Sequence, residues 1–470
     1  MKKAIKILSL MLIVSFVFGT VFVGCGSTNK EPVKADASTK DAAAKKEPVT
    51  LKFTYWGSPI EKKAVEDCVK KFQEKNSYIT VDGMYIPSAD YLTKITAMIA
   101  GNDAPDLGYM DVSLAFKMAE EGKLCNINDF LAKDSELKKE DYLDNIWYNW
   151  APGKSLGTNS ACESITLLYN ADMIKAAGVE TPPTKAENAW DWDKFVEIAR
   201  KLTIDSNGKN ALDPAFDYKN IKQYGVQFPT TWQYYMPLVY SNGGDYVNDD
   251  GSKLTLSSKE ATDAIQNLAD LVNKYHVAPS PVQQRSMPAP SVGLQSKQVA
   301  MILAGQWNLL DLGAAKLNFG VGVLPKLKKS VTLVLGSPTV IFSGGRHPEE
   351  AWLLYKWLQN PESSIDLQAG GLWMPLMKDW YTKPELISKW AENNPSHPEG
   401  YKDAIMKQTI EKGVSGPAYY VKGFSEIDAI IAPALEQVWL GNKTAEQAIK
   451  EVEPKVQEKL KGRYDNKKQN

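Results

Sequence analysis

Trp56 in Tyr-Trp-Gly-Ser, the pair Tyr109 and Asp111, Trp232 in Thr-Thr-Trp-Gln-Tyr-Tyr, Trp307 in Ala-Gly-Gln-Trp-Asn and Trp373 in Gly-Gly-Leu-Trp-Met-Pro are the residues best placed for chemistry. With 13 Trp and 21 Tyr against 13 Phe, most rings of this chain carry an N–H or O–H edge. Such rings suit a partly wet binding surface. Their flat faces match the C–H faces of a sugar ring, and their polar edges can meet its hydroxyl rim. A carboxylate such as Asp111 can accept two hydroxyl hydrogens, each charged bond worth ~1.5–3 kcal/mol. The chemistry this implies is recognition without a covalent step.

Residues for covalent chemistry are sparser. There is no glycine-rich phosphate loop ending in Lys-Ser/Thr and no G-x-S-x-G elbow. The three histidines, His276, His347 and His397, show no pair at helical metal-ligand spacing, and the last two precede prolines. Cys68, Cys125 and Cys162, an odd number at irregular spacing, fit neither a disulfide set nor a zinc site. Glycoside hydrolysis needs two opposed carboxylates, a pair that 56 acidic residues would hide. No catalytic residue, metal or cofactor is therefore assigned. With 55 Lys+Arg the net charge is −1, which excludes a generally basic nucleic-acid binder.

The elements that must hold these side chains alternate. Val49–Trp56 reads as a strand, Pro59–Glu74 as an amphipathic helix opened by proline, and Tyr78–Ile86 as a second strand. A helix over Asp90–Gly101 with Leu92, Ile95 and Ile99 inward and a third strand over Asp106–Asp111 follow. This opening implies a mainly parallel sheet with helices on both faces and the ligand beyond the C-terminal strand ends. Ser257-x-x-Glu260 reads as a capping box for a helix with Ala261, Ile265, Leu268, Val272 and Tyr275 on one face. Gln298–Leu303 is a short strand and Val331–Phe342 a longer one, and Thr444-x-x-Gln447 caps a last helix. Cys68 sits in the core stripe Ala64, Val65, Cys68, Val69, Phe72, and Asp191 is placed to cap a helix between Trp190 and Trp192. Trp352, Trp357 and Trp439 fall inside helical periodicity and read as core. About 420 residues exceed one comfortable core, so two α/β lobes joined by short crossings is the economical arrangement.

Lys2, Lys3 and Lys6 precede Ile7–Val23, a run without charge. A basic start and a short apolar stretch read as an export signal rather than a spanning helix, which needs ~20 apolar residues. Phe22-Val23-Gly24-Cys25 resembles the bacterial lipoprotein box, whose cysteine carries a diacylglyceryl group and becomes the mature N-terminus. Gly26–Pro48 has no aromatic residue and reads as a flexible tether.

Over Val49–Leu460 the chain resembles the extracellular solute-binding proteins of ABC importers, in their maltose-binding-like sugar group. The resemblance is carried by Tyr91-Leu92-Thr93-Lys94, Ala97-Met98-Ile99-Ala100-Gly101 and Asp103-Ala104-Pro105-Asp106. It continues through Glu163–Asn170, Trp192-Asp193-Lys194-Phe195, Ser241-Asn242-Gly243-Gly244, Gly305-Gln306-Trp307 and His347-Pro348-Glu349-Glu350-Ala351. The family implies an α/β, two-lobe, periplasmic-binding-protein-like (type II) fold with parallel-dominated sheets and ligand in the interlobe cleft. By matching, residues 1–24 are the signal peptide and 25–48 a lipid-anchored tether starting at Cys25. Lobe I is 49–162 plus 336–380, lobe II is 163–335 plus 381–462, and 463–470 is a tail. Crossings are expected near Ala161–Thr166, Leu335-Gly336-Ser337 and Trp380. Relatives usually have Gly-Gly-Ser at the second. Trp307 matches the family's sugar-stacking tryptophan, Trp232 or Gln233 a second stacking position, and Glu163 an acidic position at the first crossing. Trp56, Tyr109, Asp111 and Trp373 complete the expected ligand-binding set.

The resemblance implies a monomeric, lipid-anchored receptor on the extracytoplasmic face of the cell membrane. It would present an oligosaccharide, such as a β-linked xylo- or manno-oligosaccharide, to ABC permease subunits without catalysis. A secreted carbohydrate-active enzyme and a same-fold receptor for a peptide, polyamine or anion are the alternatives.

Overall fold

The computed structural model of the chain describes residues 46–464, apart from the side chain of Asn145. The signal peptide, Cys25, the tether up to Lys45 and the last six residues of the tail lie outside the described residues. Among the described residues no helix is long and apolar enough to cross a membrane.

The first sheet is built from β1 (Val49–Tyr55), β2 (Ile79–Tyr85) and β3 (Leu107–Tyr109), joined by the helices Pro59–Lys75 and Ser88–Ala100. β1 is parallel to both neighbours, as a strand–helix–strand opening requires. A hairpin of β4 (Trp147–Ala151) and β5 (Lys154–Thr158) precedes β6 (Glu163–Asn170), the central strand of a second sheet. That sheet adds β7 (Ile204–Asp205), β8 (Ile221–Gln227), β9 (Val299–Gly305), β10 (Phe319–Gly322) and β11 (Thr332–Leu335). The chain then returns to the first sheet as β12 (Thr339–Ile341) and ends its strands in the second with β13 (Gly413–Ser415). The orders are β12-β3-β1-β2 and β13-β11-β6-β9-β8-β7, with β10 also on β6. β8–β9 and β11–β13 are parallel. Antiparallel pairs enter mainly at the strands nearest the crossings, where β6 meets β9, β10 and β11 and β12 meets β3.

β9, Val-Ala-Met-Ile-Leu-Ala-Gly, is buried along its whole length, the pattern of a strand covered on both faces. The helix Pro59–Lys75 turns Val65, Cys68, Val69 and Phe72 inward, as its spacing predicts. Asp191 caps the next helix by accepting from the Lys194 amide, with Trp190 and Trp192 buried on either side. Thr444 and Gln447 form a reciprocal capping box. Trp352 and Trp439 are buried, whereas Trp357 is partly buried with its indole N–H donating to the Cys68 carbonyl. Cys68, Cys125 and Cys162 are free thiols.

Three local expectations change. Val331–Phe342 is not one strand. It breaks at Gly336, whose φ of +145° and whose contact with the Ala161 carbonyl leave no room for a Cβ, so β11 and β12 serve different sheets. Leu92 is half exposed; Tyr91 takes the inward place, because its hydroxyl donates to the Tyr109 carbonyl at 2.7 Å. The helix after Leu256 is capped by Ser258, which accepts from the Ala261 amide, while the Ser257 hydroxyl donates to Glu453. That helix ends at Asn273, so Tyr275 lies beyond it.

Two crossings and a third segment lie side by side. Ser160 donates its amide to the Ser337 carbonyl at 2.8 Å, and the Asn159 side chain donates to the Leu335 carbonyl at 3.0 Å. Met374, six residues before Trp380, exchanges both backbone hydrogen bonds with Cys162 at 3.1 Å. Tyr419 pins the Gly336 peptide, its hydroxyl accepting from the amide and donating to the carbonyl, both at 3.0 Å.

Candidate functional site

The crossings form the floor of a cleft of about 510 Å³, within the range of small-molecule pockets. It opens beyond the C-terminal ends of β1, β3 and β9, where an α/β sheet leaves loop and helix N-termini free to face a ligand. All eight residues singled out from sequence, Trp56, Tyr109, Asp111, Glu163, Trp232, Gln233, Trp307 and Trp373, line this one cavity.

They do not present themselves alike. Trp56 follows β1 and is half-buried, edge-on to Tyr91 at 4.7 Å and to Tyr109 at 5.3 Å. Trp307 follows β9 and is also half-buried; its indole lies against Gly305, where a Cβ would sit 2.1 Å from the ring. The adjoining Gln306 is buried and donates to the Leu372 carbonyl at 2.9 Å, which ties the Trp307 turn to the segment carrying Trp373. Trp232, first residue of the helix Trp232–Ser241, is buried against Gly416, with Tyr419 and Phe424 edge-on to it. Trp373 is buried beside Tyr109, ring centroids 6.2 Å apart. Two indoles thus open to the cavity from opposite sheets, and two back its wall.

Asp111 caps the helix Val112–Glu120, taking the Ser113 amide, the Ser113 hydroxyl and the Leu114 amide on Oδ1. Capping and cleft lining coincide at this residue. Glu163 heads β6 opposite Leu335; burial, then the charge of Glu61, pushes its carboxyl up to about 8. The Gln233 amide oxygen and the buried Tyr109 hydroxyl have no hydrogen-bond partner.

Sequence reasoning missed Ser58, Glu61, Asp311 and Tyr419. Ser58 and Glu61 make a capping box for the helix Pro59–Lys75, a Ser-x-x-Glu signal readable in the chain. Burial, then the charge of Asp311, pushes Glu61 up to about 7. The Ser58 hydroxyl donates to Asp311 at 3.0 Å, joining a turn after β1 to a helix after β9. Burial raises Asp311 as well. The Tyr419–Gly336 contact spans 83 positions, and no local signal marks it.

The model of bacterial extracellular solute-binding proteins matches residues 52–365 of this chain. The maltooligosaccharide ABC transporter solute-binding lipoprotein of Streptococcus pneumoniae is 22% identical over 460 residues, covering 95% of this chain and 97% of its own. Among solved structures, the ABC substrate-binding protein Lmo0181 of Listeria monocytogenes in complex with cycloalternan superposes with a TM-score of 0.76. It is 24% identical and covers 88% of this chain and 99% of its own. Maltose-bound MalE3 of T. maritima has a TM-score of 0.72 at 18% identity, with 88% and 100% covered. These likenesses give the fold: α/β, two-lobed, of the type II binding-protein kind.

Proposed function

We propose, from the premise that the chain belongs to the bacterial extracellular solute-binding proteins, that it captures an extracellular oligosaccharide and hands it intact to an ABC permease. The observation that carries this reading is that Trp56 and Trp307, each partly open and following strands of different sheets, line one cleft together with carboxyl groups. Indole faces stack on sugar rings and carboxylates take hydroxyl hydrogens. The first lobe is assigned to 49–162 with 336–380 and the second to 163–335 with 381–462, so that the Trp56 and Trp307 plates belong to different lobes. Contacts made by both lobes favour the closed state, because a ligand shifts an equilibrium only through its differential affinity for the two states. Ligand leaves unchanged, and the protein acts as a monomer held to the membrane through Cys25.

Calorimetry across oligosaccharides tests the reading. The panel sets β-linked xylo- and manno-oligosaccharides against α-linked glucans, the class suggested by the names of the relatives. At least one member binds, and Trp307→Ala weakens that binding at least tenfold, about 1.4 kcal/mol. Unchanged affinity removes Trp307 from the site; shortening of a labelled oligosaccharide over hours points instead to an enzyme.

A further inference from the structure

We propose that the hydrogen bond from Ser58 to Asp311 is a latch between the two walls of the cleft, shut while Glu61 is protonated and released when Glu61 ionises. Ser58 lies just after Trp56, in the turn that follows β1 of the first sheet. Asp311 lies one helical turn after Trp307, in the helix Asn308–Ala314 that follows β9 of the second. The Ser58 hydroxyl donates to Asp311 Oδ1 at 3.0 Å and accepts from the Glu61 amide at 3.2 Å, while the Glu61 carboxyl accepts from the Ser58 amide at 3.3 Å. One hydroxyl therefore caps a helix of one wall and holds a carboxyl of the other, with a second carboxyl beside it.

The titratable groups that face Glu61 are Asp311 from the opposite wall, Glu163 from β6 and Tyr109 from β3. None of the three is a cation, and no Lys, Arg or His lines the cleft. On its own helix Lys62 is paired with Glu66 and Lys63 with Asp67, and Asp366, on the helix Ile365–Ala369 packed alongside, is held by Lys71. Burial and the charge of Asp311 keep the Glu61 proton to about 7. Both causes weaken when the walls part, because water enters and Asp311 moves away. Opening therefore releases a proton, and by linkage the open form gains as pH rises through about 7. Glu163 titrates higher, at about 8, and heads β6 in the floor of the cleft rather than at the contact. Where a ligand is gripped from both walls, the same proton sets how firmly it is held.

Small-angle X-ray scattering of the unliganded protein between pH 6 and 8, at constant ionic strength, tests the latch. The radius of gyration should rise with a midpoint near 7, the ratio of open to closed molecules growing at most ~tenfold per pH unit. Glu61→Gln keeps the helix cap and Asp311→Asn keeps an acceptor for Ser58, and both should stay compact throughout. Ser58→Ala should show at pH 6 the larger radius that wild type reaches at pH 8, with helix content by circular dichroism unchanged. Glu163→Gln should keep the rise. A wild-type radius that does not move with pH, or a rise that persists in both Glu61→Gln and Asp311→Asn, overturns the latch. So does a Ser58→Ala radius equal to wild type at pH 6, or a rise lost in Glu163→Gln. The measurement needs no ligand, so its failure leaves the saccharide reading standing.

Discussion

Replacing Glu163 by Gln should make the unliganded protein less sensitive to rising pH. The carboxyl titrates at about 8 in the fold because burial and the charge of Glu61 disfavour its ionised form, whereas an unfolded chain releases that proton near ~4.3. Between these values the native state binds more protons than the unfolded one. The stabilisation is therefore complete below the unfolded value and is lost as pH rises through 8. The slope is at most ~1.4 kcal/mol per pH unit for one group, or roughly 2 kcal/mol between pH 6 and 8. Water entering the cleft mouth screens part of this and brings it to about 1 kcal/mol. With an unfolding entropy of ~0.9 kcal/mol per degree for about 420 residues, wild type should lose ~1 °C more than Glu163→Gln over that interval. Glu61 acts in the same sense, at about 7, so the variant keeps part of the slope. Thermal melts followed by tryptophan fluorescence, at constant ionic strength on dialysed protein, resolve this difference. Parallel pH curves for the two proteins would refute the assignment of a buried, proton-holding carboxyl.

Gly305→Ala places a methyl where the Trp307 ring lies. It should cost sugar affinity about as much as Trp307→Ala, roughly tenfold, with little loss of helix content by circular dichroism; wild-type affinity would show that the indole does not need that glycine. Gly336→Ala meets both a φ of +145° and the Ala161 carbonyl at 2.3 Å, and should destabilise by roughly 1–3 kcal/mol in urea unfolding. Stability equal to wild type would mean that the crossing tolerates a side chain. Deleting residues 2–48 should leave affinity intact and abolish membrane association in cell fractionation, and a drop in affinity would place part of that segment in the site.

Elements whose signals lie between chain neighbours were legible before the fold was seen. The Thr444 and Asp191 caps, the inward stripe through Cys68 and the strands of the opening depend on side chains three or four positions apart or on alternation, and they form where they are read. The aromatic positions at strand ends were legible for the same reason, since a residue just past a strand is placed by that strand alone. What the sequence could not show were choices made by distant partners. Val331–Phe342 is apolar on both sides of Gly336 because each half is buried, and only the placement of Asn159, Ala161 and Tyr419 decides that the halves part. Leu92 and Tyr91 are both apolar enough to face inward; the hydrogen bond to the Tyr109 carbonyl selects Tyr91. That Glu61 and Asp311 share the cleft with Asp111 and Glu163 was hidden as well, because 56 carboxyls look alike until the fold brings Glu61 within reach of the charge of Asp311 and Glu163 within reach of that of Glu61. Local propensity is a property of adjacent residues. Burial and electrostatic coupling belong to the packed molecule, and here they decide both the bend of the chain and the character of its site.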